Sequence, residues 1–86
     1  MYEEEIRKSL NSEKLLIGKD EVLKNVRKGL VAKVYTASNC PNDVLVDLQK
    51  YSTMAGFELL NTKVLNHELG AVCKKPFSIA VIGLKK

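Results

Sequence analysis

Apolar residues recur along the chain at spacings that alternate between helical and strand-like. Ile6 and Leu10 stand four positions apart, which places both on one face of a short helix from residue 3 to about residue 11. Residues 14–17 then predict a short strand. Gly18 opens a second helix that ends near Gly29, and its apolar stripe is formed by Val22, Leu23, Val26 and Leu30.

The middle of the chain predicts a strand followed by a longer helix. Residues 32–37 are rich in strand formers and end at a break over residues 38–41. Pro41 suits the first position of the helix. The helix stops near Gly56, and its apolar face is formed at three- and four-residue spacing by Val44, Leu48, Tyr51 and Ala55.

The last third predicts a strand, a short helix and a closing strand. Residues 57–60 form the first of these strands, and Asn66 caps a helix that runs through Val72. The closing strand spans residues 76–84. Its residues 79–82 are apolar on both faces, which is typical of a strand in the centre of a sheet.

Helices and strands therefore alternate through the chain, which favours helices packed on both faces of one sheet. We predict an α/β fold of the three-layer α/β/α type with a four-stranded mixed sheet. The 86 residues, 45% of them hydrophobic, suffice for one core and so for one domain over residues 1–86. Ligands of open sheets gather at loops along one end, so the loops at Gly18, residues 38–41 and residues 74–77 are candidates for a single surface.

The charge balance and the cysteines narrow the class of protein. Fourteen Lys and Arg against ten Asp and Glu give a net charge of +4, which fits either a polyanionic partner or a solvated basic surface. The longest apolar run, residues 79–84, is far below the ~20 residues of a membrane-spanning helix. The acidic N-terminus lacks the apolar stretch of a secretory signal, and the two cysteines match no metal or disulfide pattern, which indicates a reducing compartment. The single histidine, His67, supports neither a metal cluster nor a catalytic triad.

Three motifs occur in order between residues 15 and 84. Residues 18–24 read GKDEVLK, residues 37–41 read ASNCP, and residues 68–70 read ELG and are followed by CKKPFSI at residues 73–79. They resemble the G-x-x-x-[VT]-L-K opening, the A-x-N-x-P loop and the closing segment of the L30e-type ribosomal proteins, which belong to the kink-turn RNA-binding superfamily of L7Ae. Together the motifs identify the chain as an archaeal member of this family.

The resemblance implies a structural protein of the large ribosomal subunit, not an enzyme and without a cofactor. It would recognise a kink-turn, an RNA helix bent at an internal bulge, where sheared G·A pairs expose base edges that regular A-form RNA hides. Carried over by position, the family pattern assigns to RNA binding the residues Gly18, Lys19, Asp20, Glu21, Lys24, Asn39, Lys74, Lys75 and Phe77. Neighbouring ribosomal proteins are the other expected partners, with a cytoplasmic location on the ribosome and a monomer when free.

The implied roles differ within this set. Gly18 would allow close approach of the RNA backbone, and Glu21 would accept hydrogen bonds from guanine. The lysines of the set would supply polar contacts and charge towards the phosphates. Asp20 departs from the family pattern, in which a basic residue or an asparagine is common, and an acid beside phosphate is unfavourable unless it accepts from a base.

Several of these residues also have structural alternatives. Asn39 could read a base edge or a ribose hydroxyl, or it could cap the third helix. Phe77 could stack on an unstacked base, or it could be buried on one sheet face together with Ile79 and Val81. The lysines at the start of the second helix could simply face solvent.

Two other functions are compatible with the sequence. Cys40, before Pro41 at the mouth of a helix, could be the thiol of a redox module, because a helix dipole lowers a thiol pKa. The absence of a C-x-x-C spacing weighs against this reading. The other alternative is a protein-interaction adaptor that shares the fold.

Overall fold

The computed structural model describes residues 3–10 and 14–86, except for the side chain of Glu3. Within these ranges helices and strands alternate in the predicted order. They are α1 (Glu3–Ser9), β1 (Leu15–Ile17), α2 (Lys19–Arg27), β2 (Val31–Thr36), α3 (Asn42–Ala55), β3 (Glu58–Asn61), α4 (Asn66–Val72) and β4 (Val81–Lys85). Residue 11, the predicted end of the first helix, lies outside the described residues. No helix in the described ranges has the length and apolar character needed to cross a membrane.

The four strands form one sheet in the order β1-β4-β2-β3. β4 runs antiparallel to both of its neighbours, whereas β2 and β3 are parallel. The sheet is therefore mixed, as predicted. Because β4 has a strand on each side and helices on both faces, Val81 and Ile82 are 1% and 0% exposed. The prediction that the last strand is central is confirmed.

Helices cover both faces of the sheet. One core lies beneath α2 and α3, where Val22 and Leu48 pack towards Val34 of β2. The other lies beneath α1 and α4, where Ile6 and Leu69 share a cluster with Tyr35 of β2. Consecutive residues of β2 thus serve opposite cores, as the alternation of a strand requires. This arrangement confirms the three-layer α/β/α fold.

The apolar stripe of α2 is shorter than predicted. Leu30 is 43% exposed and lies beyond the helix, which ends at Arg27. Lys28 is the C-cap, and Gly29 has a φ of 70°, a left-handed turn that suits glycine. Because the chain leaves the helix axis at this turn, Leu30 cannot continue the stripe.

The starts of α3 and α4 each differ by one residue from the prediction. Pro41 is the N-cap of α3, with φ −54° and ψ 140°, rather than its first helical residue. Asn66 is the first helical residue of α4, and Leu65 is the N-cap. Neither N-cap makes a side-chain capping hydrogen bond. The predicted end of α3 is confirmed, since Gly56 closes it with a φ of 77°.

The closing strand is also shorter than predicted, because β4 begins at Val81 rather than at residue 76. Residues 76–80 form the loop that leads into it, and the Ile79 N–H donates to the carbonyl of Asn66 over 3.0 Å. Phe77 therefore shares no strand face with Val81 and is 55% exposed. The buried alternative for Phe77 is wrong.

Candidate nucleic-acid interface

The three loops predicted to form one surface lie at the same end of the sheet. β1 and β2 end there and β4 begins there, since Ile17 pairs with Ile82 and Thr36 pairs with Val81. The Gly18 N–H donates to the carbonyl of Val81 over 2.9 Å, which ties the first loop to the third. Segments far apart in the sequence thus meet at one end of the sheet.

A largely apolar cleft of about 470 Å³, called here the central cleft, lies between these loops. Gly18 and Lys19 line it from the first loop, Pro41 from the second, and Lys75 and Phe77 from the third. An apolar recess with an exposed aromatic ring and cationic walls can hold an unstacked base and the phosphate attached to it.

The start of α2 presents its first turn to solvent next to the central cleft. Gly18, the N-cap, has φ 97° and ψ 152°, a conformation that L side chains rarely adopt. It has no side chain to cover the free N–H groups of the first turn. Lys19, Asp20 and Glu21 are exposed in this turn. Acidic residues at a helix N-terminus interact favourably with the helix dipole and stabilise the helix. Asp20 therefore has a structural role that does not depend on RNA.

Glu21 and Lys24 extend the surface along α2. Both are exposed, neither lines the central cleft, and their three-residue spacing makes them neighbours on the helix. Asn25 lies on the buried side, where its amide donates to the Glu21 carbonyl over 2.8 Å. The exposure of Lys24 fits both an RNA contact and a solvent-facing residue.

Asn39 is exposed, but its side chain already pairs with Asn66 at the start of α4. The Asn66 N–H donates to Asn39 Oδ1 over 3.0 Å, and Asn39 Nδ2 donates to Asn66 Oδ1 over 3.1 Å. Since a backbone N–H can only donate, the first bond fixes which atom of the Asn39 amide is the oxygen. The predicted cap of the third helix by Asn39 is therefore wrong, because the side chain serves α4 instead. We call this pair the Asn39–Asn66 clamp; it leaves one N–H and one lone pair of the Asn39 amide for another partner.

The loop between α4 and β4 is held close to the helix at Gly70. A Cβ on Gly70 would overlap the carbonyl oxygen of Phe77, and the Lys75 N–H donates to the Gly70 carbonyl over 2.9 Å. Lys74 has a φ of 58°, a left-handed conformation that is uncommon outside glycine. The turn brings Lys75 and Phe77 to the central cleft, whereas Lys74 lies outside it.

The two cysteines are buried and free. Burial raises the pKa of the Cys40 thiol, and Asp43 raises it further against the opposing effect of Lys19. Burial also raises the pKa of Cys73, with a smaller lowering effect from Lys75. Both thiols are thus kept protonated at neutral pH, whereas a nucleophile needs the thiolate. This argues against the redox alternative.

The structure places further residues at the surface that the sequence analysis missed. Pro41, Val44 and Ser78 line the central cleft, and His67 borders Phe77 in a smaller recess. Pro41 belongs to the predicted loop over residues 38–41 and Ser78 adjoins Phe77, so loop position and adjacency were available signals. Val44 carried no such signal. In residues 3–10 and 14–86, no three His, Cys, Asp or Glu side chains gather as a metal site would require.

Comparison with known sequences decides the family. A sequence profile of the ribosomal protein L7Ae/L30e/S12e/Gadd45 family matches residues 1–86. The chain belongs to this family. The eL30 protein of the large ribosomal subunit of Methanocaldococcus jannaschii is 32% identical over 77 residues, which are 90% of this chain and 70% of the relative. The eL30 protein of Archaeoglobus fulgidus is 38% identical over 68 residues, or 79% of this chain and 74% of the relative.

These relatives confirm the resemblance to archaeal L30e-type proteins. They are named as ribosomal proteins and not as enzymes, which bears out the prediction of a non-enzymatic protein.

Solved structures share the fold of this L7Ae-family chain. A protein of unknown function from Bacillus halodurans has a TM-score of 0.88 at 21% identity, covering 99% of this chain and 84% of that one. A 15.5 kD RNA-binding protein from Giardia lamblia has a TM-score of 0.81 at 19% identity, covering 94% of this chain and 68% of that one. At such identities the likeness shows the fold alone.

Proposed function

We propose that this chain is a structural RNA-binding protein of the large ribosomal subunit and that it binds a kink-turn in ribosomal RNA. The observation that carries the proposal is the gathering of three loops, distant in sequence, around the central cleft with its exposed Phe77. The relatives named eL30 support the ribosomal assignment. The net charge of +4 suits a polyanionic partner.

In this proposal the central cleft receives a base that the kink turns out of the helix. The ring of Phe77 is 55% exposed and can stack on such a base, a contact of ~1 to 3 kcal/mol. Lys19 and Lys75 line the same cleft, so the phosphate attached to that base would lie within reach of positive charge.

The start of α2 reads the sheared G·A pairs. Gly18 leaves no side chain in front of the helix, so a base edge can approach the backbone closely. The exposed carboxylate of Glu21 accepts from guanine N–H groups, and Lys24, one turn further, meets phosphate. Asp20 belongs to the interface only through the family pattern.

Asn39 acts both as a support and as a reader. The Asn39–Asn66 clamp uses half of the hydrogen-bonding capacity of its amide, and the other half remains for a ribose hydroxyl or a base edge. Lys74 adds charge for the RNA backbone. We further propose neighbouring ribosomal proteins as partners and a cytoplasmic location on the ribosome, in line with the relatives' names, and a monomer when free, which sedimentation would test.

Binding titrations test the proposal with two RNAs. One is a kink-turn, and the other is a duplex in which both G·A pairs are replaced by Watson–Crick pairs. We expect the kink-turn to bind at least about tenfold more tightly, and Phe77→Ala to weaken that binding about 5- to 150-fold, as the loss of ~1 to 3 kcal/mol of stacking predicts. Met54→Ala is the matched control, because Met54 is an 81% exposed apolar residue on α3 outside the three loops.

Each result has a clear meaning. Equal affinity for the two RNAs would reduce the function to non-specific attraction of charges. Binding to neither RNA, with retained binding to a protein partner, would favour the adaptor alternative. Unchanged binding by Phe77→Ala would remove the stacking role from the proposal.

A further inference from the structure

A second cleft, of about 380 Å³, lies on the sheet face covered by α1 and α4. It runs between α1, β1 and the end of α4, and we call it the basic cleft. Arg7, Lys74 and Lys75 line it together with apolar residues such as Leu10 and Leu15. Among the described residues, the charged side chains that line this cleft are all basic, which favours an anionic ligand.

Arg7 is carried on an anchored helix. Its neighbour Ile6 is 1% exposed within the core between α1 and α4. Two residues before Arg7, Glu5 Oε2 accepts a hydrogen bond of 2.8 Å from the hydroxyl of the buried Tyr35. These two contacts fix α1 against the sheet, and Arg7 itself remains exposed. The exposed Arg7 side chain therefore extends from a helix whose position is fixed.

The basic cleft adjoins the central cleft. Ile17 and Lys75 line both, so the two clefts share a wall. The left-handed turn at Lys74 lies at this junction, and Lys74 lines only the basic cleft. An RNA strand that leaves the central cleft past Lys75 therefore meets a second positively charged recess.

We propose that the basic cleft binds the phosphate backbone of an RNA stem flanking the kink-turn, through Arg7 and Lys74. The inference rests on the proposed function and extends its surface to the other face of the sheet. Arginine suits this task because its planar fork of donors matches two phosphate oxygens. Phosphate contacts carry no base information, so the cleft adds affinity without adding sequence preference.

The test compares the full chain with the double variant Arg7→Gln/Lys74→Gln. Two kink-turn RNAs are used that differ only in the length of one flanking stem, with each stem lengthened in turn. We expect the wild type to bind one long-stem RNA more tightly than the short one and the double variant to bind both alike. Loss of two phosphate contacts should also lower the slope of log Kd against log salt by about 1.4 to 1.8.

The control variant Lys50→Gln/Lys86→Gln removes the same charge from exposed positions that line neither cleft. It should keep the stem-length effect and the salt slope of the wild type. All four substituted residues are exposed, so we expect both variants to keep the fold. Thermal melts of both variants check this expectation.

Three outcomes decide the matter. If the double variant matches the wild type on the long-stem RNA in affinity and slope, the inference is overturned. If Arg7→Gln alone loses the discrimination between the kink-turn and the Watson–Crick duplex, the cleft reads the kink itself, and the inference again fails. If the wild type does not discriminate the kink-turn from the Watson–Crick duplex, the proposed function fails first, because that result is obtained without any substitution in the basic cleft.

Discussion

Gly70 lies inside α4, where helix propensity alone would favour alanine by about 1 kcal/mol. Its surroundings demand the opposite. A Cβ there would overlap the carbonyl oxygen of Phe77 and lie 3.1 Å from the carbonyl carbon. The helix and the loop that carries Phe77 can approach so closely only because Gly70 has no side chain.

Gly70→Ala should therefore destabilise the fold although it improves helix propensity. Overpacking costs about 1 to 3 kcal/mol, and we expect the upper part of this range, about 2 to 3 kcal/mol, because backbone atoms cannot yield by changing rotamer. After the gain of about 1 kcal/mol in helix propensity, the expected net loss in the free energy of unfolding is about 1 to 2 kcal/mol. Urea denaturation measures this loss. The displaced loop should also weaken kink-turn binding. Ala71→Ser, at the exposed next position, should change little in either measurement, and a stabilised Gly70→Ala protein would contradict the steric argument.

Single residues were harder to interpret from the sequence than the loops that carry them. The rule of alternation offers a buried alternative for Phe77 only because the apolar pattern assigns residues 76–80 to a strand. The turn at Lys74, with its φ of 58°, and the hydrogen bond from Ile79 to Asn66 keep that segment out of the sheet. Asn39 finds its partner 27 residues away, beyond the reach of any local capping rule.

At the scale of elements, the Asn39–Asn66 clamp joins the loop after β2 to the start of α4. Each residue donates one bond to the other: the Asn66 backbone N–H donates to Asn39 Oδ1, and Asn39 Nδ2 donates to Asn66 Oδ1. Asn66 Oδ1 also accepts from the His67 N–H over 2.8 Å. The Asn66 carbonyl accepts from Ile79 at the far end of the third loop. The clamp therefore helps to hold two of the three loops around the central cleft in one arrangement.

A double-mutant cycle with Asn39→Ala and Asn66→Ala measures this connection. The cycle reports the bond between Asn39 Nδ2 and Asn66 Oδ1, because Asn66→Ala keeps the backbone N–H that donates to Asn39. Contacting residues couple by about 0.5 to 3 kcal/mol, and this single bond is exposed, so we expect a coupling energy for unfolding of about 0.5 to 1 kcal/mol. Asn39→Ala combined with Thr53→Ala, which is on α3 and bonds Gln49 instead, should be additive. Additivity in the first cycle would mean that the bond between the two side chains of the clamp does not form in solution.

The helices and strands follow the sequence most closely where a residue type determines the backbone. Gly56 ends α3 as predicted because its φ of 77° is easy for glycine. Leu30 was assigned to α2 because it fits the helical spacing, but Gly29 turns the chain first. The start of β4 could not be predicted from an apolar run, since an apolar loop residue such as Ile79, 2% exposed, is buried as well as any strand residue.

For the whole molecule, the sequence predicts layers and a mixed sheet but not the strand order. The position of β4 between β1 and β2 depends on pairings such as Leu15 with Leu84, which join opposite ends of the chain. Helical and strand-like spacing carries no information on such partners. The meeting of the three loops follows from this order, so the sequence predicted that the loops gather but not the geometry of the cleft between them.

Binding of RNA should stabilise the whole domain. A domain of this size is stable by about 4 to 13 kcal/mol, so a ligand of the folded state adds a large share. At free kink-turn RNA about 100-fold above Kd we expect ~2.7 kcal/mol and a rise in Tm of about 10 to 20 °C. Differential scanning calorimetry measures the rise in Tm. The Watson–Crick duplex at the same concentration should give a much smaller rise, and equal rises for both RNAs would contradict selective binding.

The strand order also sets the time at which this surface comes into being. β4 is the last strand of the chain, yet it is the partner of β1 and a neighbour of β2. While the chain is being synthesised, β1 therefore has no partner until β4, which follows it after three further helices and two further strands, is also available. This long-range pairing makes folding slow. The surface around the central cleft therefore forms in one late step, once β4 has paired with both of its neighbours.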